Sequence, residues 1–134
     1  MSAREPLVLV ADDEKDLLDL ACMGLEDAGF EVARASNGTD ALRLARERHP
    51  DVCVLDVHMP GMLGHEVLRA LREEKETEGI PVVLTTQTMS ERALWRLGPS
   101  PDDCLRKSSI VELEERLRPL LERRSQTGAA DDRR

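Results

Sequence analysis

The chain has 134 residues, a formal net charge of −8, one tryptophan, one phenylalanine and no tyrosine. That length suits one domain with an adequate core, while the acidic balance and the lack of aromatics argue against general nucleic-acid binding. No apolar run is long enough to span a bilayer and no signal pattern opens the chain, so the sequence predicts a cytoplasmic protein without membrane insertion.

The first apolar run, Leu7 to Ala11, predicts a strand and ends at the acidic cluster Asp12-Asp13-Glu14. Lys15 to Ala28 carries Leu17, Leu18, Ala21, Leu25 and Ala28 at helical spacing, with Gly29 as its stop. Phe30 to Ala35 predicts a second strand, Ser36-Asn37-Gly38 a turn, and Thr39 to Arg48 a helix ended by His49-Pro50. Val52 to Leu55 predicts a third strand that runs straight into Asp56 and a Pro/Gly loop. Gly64 to Lys75 predicts a helix faced by Val67, Leu68 and Leu71, and Val82 to Thr86 a fourth strand after the Gly79-Ile80-Pro81 break. A short helix capped by Ser90 carries Ala93, Leu94 and Leu97, with Trp95 as half-buried packing or a partner anchor. Cys104 to Arg106 predicts a fifth strand, and a capping box at Ser109 to Glu112 opens a last helix that Pro119 should kink or end. The polar residues 125–134 are expected to be a disordered tail, leaving 1–124 as the domain. Cys22, Cys53 and Cys104 lack metal-ligand spacing and are expected as reduced core thiols.

Five β/α alternations in a chain this short predict an α/β fold, a parallel sheet covered by helices on both faces. In such sheets ligands bind at the carboxyl ends of the strands. Asp12 and Asp13, Asp56, Thr85 and Thr86, and Lys107 all follow strand ends. Converging carboxylates repel one another and invite a hard cation such as Mg²⁺, and one of them can act as a nucleophile toward phosphorus.

With these motifs in place, the sequence resembles the receiver domains of two-component response regulators. The resemblance runs over most of the chain, through Val10-Ala11-Asp12-Asp13-Glu14, Leu55-Asp56-Val57-His58-Met59-Pro60 with Gly64, Pro81 to Thr86, and Cys104-Leu105-Arg106-Lys107. It implies a flavodoxin-like doubly wound sheet of five parallel strands in the order 2-1-3-4-5. It implies that Asp56 accepts a phosphoryl group from a sensor histidine kinase or a phosphotransfer protein. Asp12, Asp13, Asp56 and the backbone carbonyl of His58 would hold Mg²⁺, and Thr86 and Lys107 would contact the phosphoryl oxygens. Thr86 rather than Thr85 fits the family's spacing from Pro81 and from Asp56. Such a domain is not an enzyme beyond its own phosphotransfer and autodephosphorylation. It signals to a downstream protein partner as a monomer or weak dimer.

The sequence also departs from the family. Ser108 follows the lysine where proline is usual, Cys104 stands where a switching aromatic is common, and Gln87 replaces a small residue after Thr86. These departures favour an alternative, a degenerate receiver acting as a docking module without phosphorylation. An aspartate-nucleophile phosphatase is disfavoured because His58 stands where that chemistry wants a second aspartate. A dinucleotide-binding domain is disfavoured because no glycine-rich fingerprint follows the first strand.

Overall fold

The structure is a computed structural model that describes residues 5–88, 90, 92, 93, 96 and 99–131. Five strands, β1 (Leu7–Ala11), β2 (Glu31–Ala35), β3 (Val52–Asp56), β4 (Val82–Thr86) and β5 (Asp103–Arg106), form one parallel sheet. Their order is β2-β1-β3-β4-β5. The helices are α1 (Lys15–Asp27), α2 (Gly38–Arg48), α3 (Gly64–Glu73) and α4 (Leu113–Asp131), the last preceded by a 3₁₀ turn over Lys107–Glu112.

Strand alternation splits the core into two layers. Leu7, Leu9 and Ala11 of β1, with Cys53, Leu55, Val82, Leu84 and Cys104, pack against Ala41, Leu42 and Ala45 of α2 and Val67, Leu68 and Leu71 of α3. Val8, Val10, Val52, Val54, Val83 and Leu105 face the other way, onto Leu18, Ala21, Cys22 and Leu25 of α1 and Leu113, Leu117 and Leu120 of α4. Both faces are thus covered, which is why β3 and β4 read as continuous apolar runs. All three cysteines are buried thiols outside any disulfide, and burial pushes the Cys22 thiol up to about 11.

The amino edge of the sheet is stapled by carboxylates with structural work. Asp51 Oδ2 accepts the Leu7 N–H at 2.8 Å, and Asp102 Oδ2 accepts the Val82 N–H at 2.8 Å and Arg72 Nη2 at 2.9 Å. His49 ends α2 in the left-handed region at φ 49°, its N–H reaching the Ala45 carbonyl. Asn37 caps the start of α2, its Oδ1 accepting the Asp40 N–H at 2.7 Å, so the predicted turn also opens a helix.

The last helix differs from its prediction. The chain first makes the 3₁₀ turn and the α-helix begins at Leu113, so the Ser109–Glu112 box does not open it. The chain reverses tightly after β5 to keep Lys107 at the sheet edge, and a 3₁₀ turn is the tighter helix. Pro119 lies inside α4 and does not end it, and the helix runs past residue 124 to Asp131. The helix predicted around 90–97 lies largely outside the described residues, as does Trp95. Within what is described, Ser90 Oγ accepts the Ala93 N–H at 3.2 Å, the bond a capping serine makes. No described helix is long and apolar enough to cross a membrane.

Candidate functional site

The parallel register brings the chemistry to one edge. Ala11 pairs with Leu55, Asp56 with Thr85, and Thr86 with Arg106, so the residues that follow β1, β3, β4 and β5 emerge together. β1 is flanked by β2 on one side and β3 on the other, so the chain reverses winding direction between β1 and β3. That crevice is where open α/β sheets take ligands.

Three carboxylates meet there. Oxygens of Asp12, Asp13 and Asp56 all lie within 4.8 Å of one another. Asp12 and Asp56 are buried and Asp13 is exposed. The Asp56 Oδ1 accepts the His58 N–H at 3.2 Å, and the Asp12 Oδ1 accepts the Glu14 N–H at 2.8 Å. These hard oxygen donors suit a small divalent cation such as Mg²⁺, which needs only one or two protein carboxylates.

Lys107 lies among the acids. Its Nζ donates to Asp56 Oδ2 at 3.0 Å, to Asp12 Oδ1 at 3.2 Å and to Glu14 Oε1 at 2.8 Å, with its side chain only 6% exposed. Burial alone would lower the ammonium's pKa. The hydrogen bonds to Glu14 and Asp56 and the charges of Asp56 and Asp12 outweigh it and hold the group above the ordinary lysine value. Burial pushes the Asp56 carboxyl up to about 6, helped by the charge of Asp12. The Lys107 ammonium and the His58 N–H act the other way without offsetting it. Asp56 is therefore a carboxylate whose charge the fold does not fully satisfy, a recurrent property of reactive groups.

Thr86 and Lys107 line one cleft of about 350 Å³, together with Leu17, Gln87, Arg106 and Ser108. Thr85 is not part of its wall; its carbonyl accepts the Val57 N–H at 2.9 Å. The Thr86 Oγ1 accepts the Thr88 N–H at 3.2 Å, and Gln87 is exposed at the mouth.

The loop after β3 is held by close backbone contacts. Gly64 donates its N–H to the Val57 carbonyl at 2.9 Å, and a Cβ on Gly64 would stand 2.3 Å from the Asp56 carbonyl oxygen. Only glycine fits, which ties the start of α3 to the backbone of Asp56 itself. Gly64→Ala should therefore lower unfolding free energy by ~2 kcal/mol or more, because rigid backbone rather than a mobile side chain blocks the methyl. A urea midpoint equal to that of the parent protein would show that the contact relaxes freely.

The structure brings Asp12, Asp13, Asp56 and Lys107 together and puts Thr86 on the adjoining wall. His58 contributes its N–H to Asp56 while its residue is exposed. Sequence reasoning gave no role to Glu14, although it named the acidic cluster that contains it. The only signal was its adjacency to the acidic pair at the start of α1, where a glutamate equally suits a helix terminus.

Residues 8–118 match the family model described as the response regulator receiver domain. The chain is similar to the transcriptional regulatory protein PrrA of Mycobacterium tuberculosis, 36% identical across 93% of this chain and 54% of that protein. It is also similar to the protein PilH of Pseudomonas aeruginosa, 35% identical across 75% of this chain and 84% of that protein. Among solved structures, the receiver domain of the Francisella response regulator 1452 superposes with a TM-score of 0.81 at 33% identity, covering 89% of this chain and 98% of that one. The chain spans about half the length of regulators such as PrrA.

Proposed function

The chain belongs to the response regulator receiver domain family, and from that premise we propose that it is a phospho-acceptor that takes a phosphoryl group on Asp56 with Mg²⁺ bound. Receiver domains are signalling domains of two-component systems, not classical enzymes. The observation that carries the proposal is the convergence of Asp12, Asp13 and Asp56 around Lys107 at the carboxyl edge of the sheet.

The donor is a phosphohistidine on a sensor histidine kinase or a phosphotransfer protein. An Asp56 oxygen attacks phosphorus, the P–N bond breaks, and its electron pair leaves with the imidazole, which takes up a proton. The new P–O bond makes an acyl phosphate. Asp56 is suited to the attack because it is buried and only partly compensated. Asp12, Asp13, Asp56 and the His58 carbonyl would hold the cation, which would supply positive charge beside the transferring group. Lys107 contributes a second positive charge and Thr86 a hydroxyl donor from the cleft wall.

The phosphoryl group adds up to about two negative charges to the crevice. Lys107 and Thr86 move toward it, and the surface made by β5 and α4 shifts with them. The change in affinity for a downstream protein is then a population shift between two states of that surface. We further propose residues 1–124 as the functional unit.

Intact-protein mass after incubation with Mg²⁺ and acetyl phosphate tests the reading. One added phosphoryl group is expected, absent without Mg²⁺ and absent in Asp56→Asn. No adduct under any condition would replace this reading with the docking module that Ser108 and Cys104 favour.

A further inference from the structure

An ammonium has three donors, and those of Lys107 are spent on Asp12, Asp56 and Glu14. Two of these acceptors belong to the carboxylate cluster that suits a divalent cation, and Glu14 does not. A cation among Asp12, Asp13 and Asp56 competes with Lys107 for the same carboxylates. The lysine cannot simply be released, because its side chain is buried and an unpaired buried ammonium is costly. Glu14 is built to receive it. The Glu14 carboxylate already holds the shortest of the three bonds, its side chain is 46% exposed at the rim, and its backbone N–H is anchored on Asp12 Oδ1 at 2.8 Å.

We propose that Glu14 is a positioning residue that holds the Lys107 ammonium beside the acidic cluster when a divalent cation engages Asp12 and Asp56. The ammonium is thereby kept within reach of a phosphoryl group on Asp56 instead of being expelled. Without Glu14, the lysine is left with the two aspartates as acceptors and competes harder for them. The proposal rests on the reading of the acidic cluster as a Mg²⁺ site.

Calorimetric Mg²⁺ titrations of the wild type, Glu14→Gln, Lys107→Met and the double variant test it. Glu14→Gln is expected to raise the Mg²⁺ dissociation constant roughly tenfold, the equivalent of one charge-assisted hydrogen bond. In the Lys107→Met background the same substitution should change it far less, because only the loss of one negative charge outside the cluster is left. Equal effects in both backgrounds would reduce Glu14 to general electrostatics and overturn the proposal. A wild type that binds no Mg²⁺ would instead remove the underlying reading, so the two failures are distinct.

A second measurement needs no Lys107 variant. In protein carrying ¹⁵N-lysine and saturated with Mg²⁺, the Lys107 ammonium signal should stay protected from exchange with water, and in Glu14→Gln it should be lost to exchange. Protection that survives Glu14→Gln would also overturn the proposal.

Discussion

Lys107→Met is expected to lower the unfolding free energy by ~3 kcal/mol at pH 7 in the absence of divalent cations, the scale of breaking a buried ion pair by removing one partner. Methionine keeps most of the aliphatic stem, so the loss reads the charge rather than a cavity. What is left behind is Asp12 and Asp56, both buried, with Asp13 beside them and no cation between them. The pH dependence follows from the direction of each shift. Lys107 is held above the ordinary lysine value, so its stabilisation is fully present below that value and is lost only as strongly alkaline pH passes its folded one. The wild type therefore keeps the whole contribution from neutral to mildly alkaline pH, and the part owed to Asp56 declines as that carboxyl takes up its proton below about 6. The variant behaves differently on acidification. With the ammonium gone, Asp56 retains its proton to higher pH than in the wild type, so acid relieves the variant more and the gap narrows. Mg²⁺ should likewise stabilise the variant more than the wild type, since no ammonium competes for the carboxylates. Urea midpoints at pH 5 and pH 7, with and without Mg²⁺, check all three statements. A variant as stable as the wild type at pH 7 without Mg²⁺ would mean that Lys107 does not neutralise this cluster.

The opposed chemistry of the two sheet edges explains why some of the site could be read in sequence and some could not. β3 and β4 are apolar without alternation because both faces are covered, and an aspartate or a pair of threonines ending such a run stands out at once. Asp51 and Asp102 are also strand-edge carboxylates, yet each is spent on backbone N–H groups at the amino edge. They precede their strands whereas Asp12 and Asp56 follow or end theirs, and in a parallel sheet that order puts the two sets at opposite edges. Glu14 lay in view and went unassigned, because its partner Lys107 follows β5, far along the chain, and only the register of the whole sheet brings them within 2.8 Å. The start of the last helix was misplaced for a related reason. A capping box is a local signal, whereas the 3₁₀ turn over Lys107–Glu112 answers a tertiary demand that Lys107 stay under the acids.

Cys104 illustrates a different gap. It is 2% exposed and belongs to the core layer shared with α2 and α3. A thiol of this size fills its place in that layer and has no polar tip to exchange between buried and exposed positions. On the proposed reading, the response to phosphorylation is carried by Thr86 and Lys107, which line the cleft, and by the strand and turn to which they belong.

Asp56→Asn is expected to do the reverse of Lys107→Met and stabilise the fold at pH 7, by on the order of 1–3 kcal/mol, while abolishing the phosphoryl adduct. The sign comes from the raised pKa. The carboxyl is pushed from an ordinary 3.8 up to about 6 in the folded protein, first by burial and then by Asp12. The folded state thus binds the proton more tightly than the unfolded chain does. Stability linked to this group is present in full below the unfolded value and is lost as pH rises through about 6, so at neutral pH the charge is a net cost. Asparagine keeps the volume, and its Oδ1 can still accept from Lys107 or the His58 N–H, but it carries no charge at any pH. The difference between variant and wild type should therefore be largest above pH 6, shrink through the window between, and nearly vanish below pH 4. Chemical unfolding across pH 3.5 to 7.5 measures it without any phosphodonor. A variant less stable than the wild type at pH 7 would place the balance with the Lys107 ion pair and would remove the argument that Asp56 is held charged at a cost. Opposite signs for the two single variants, with the double variant recovering more than their sum, would locate that cost in the acidic cluster itself, because contacts within one network do not add.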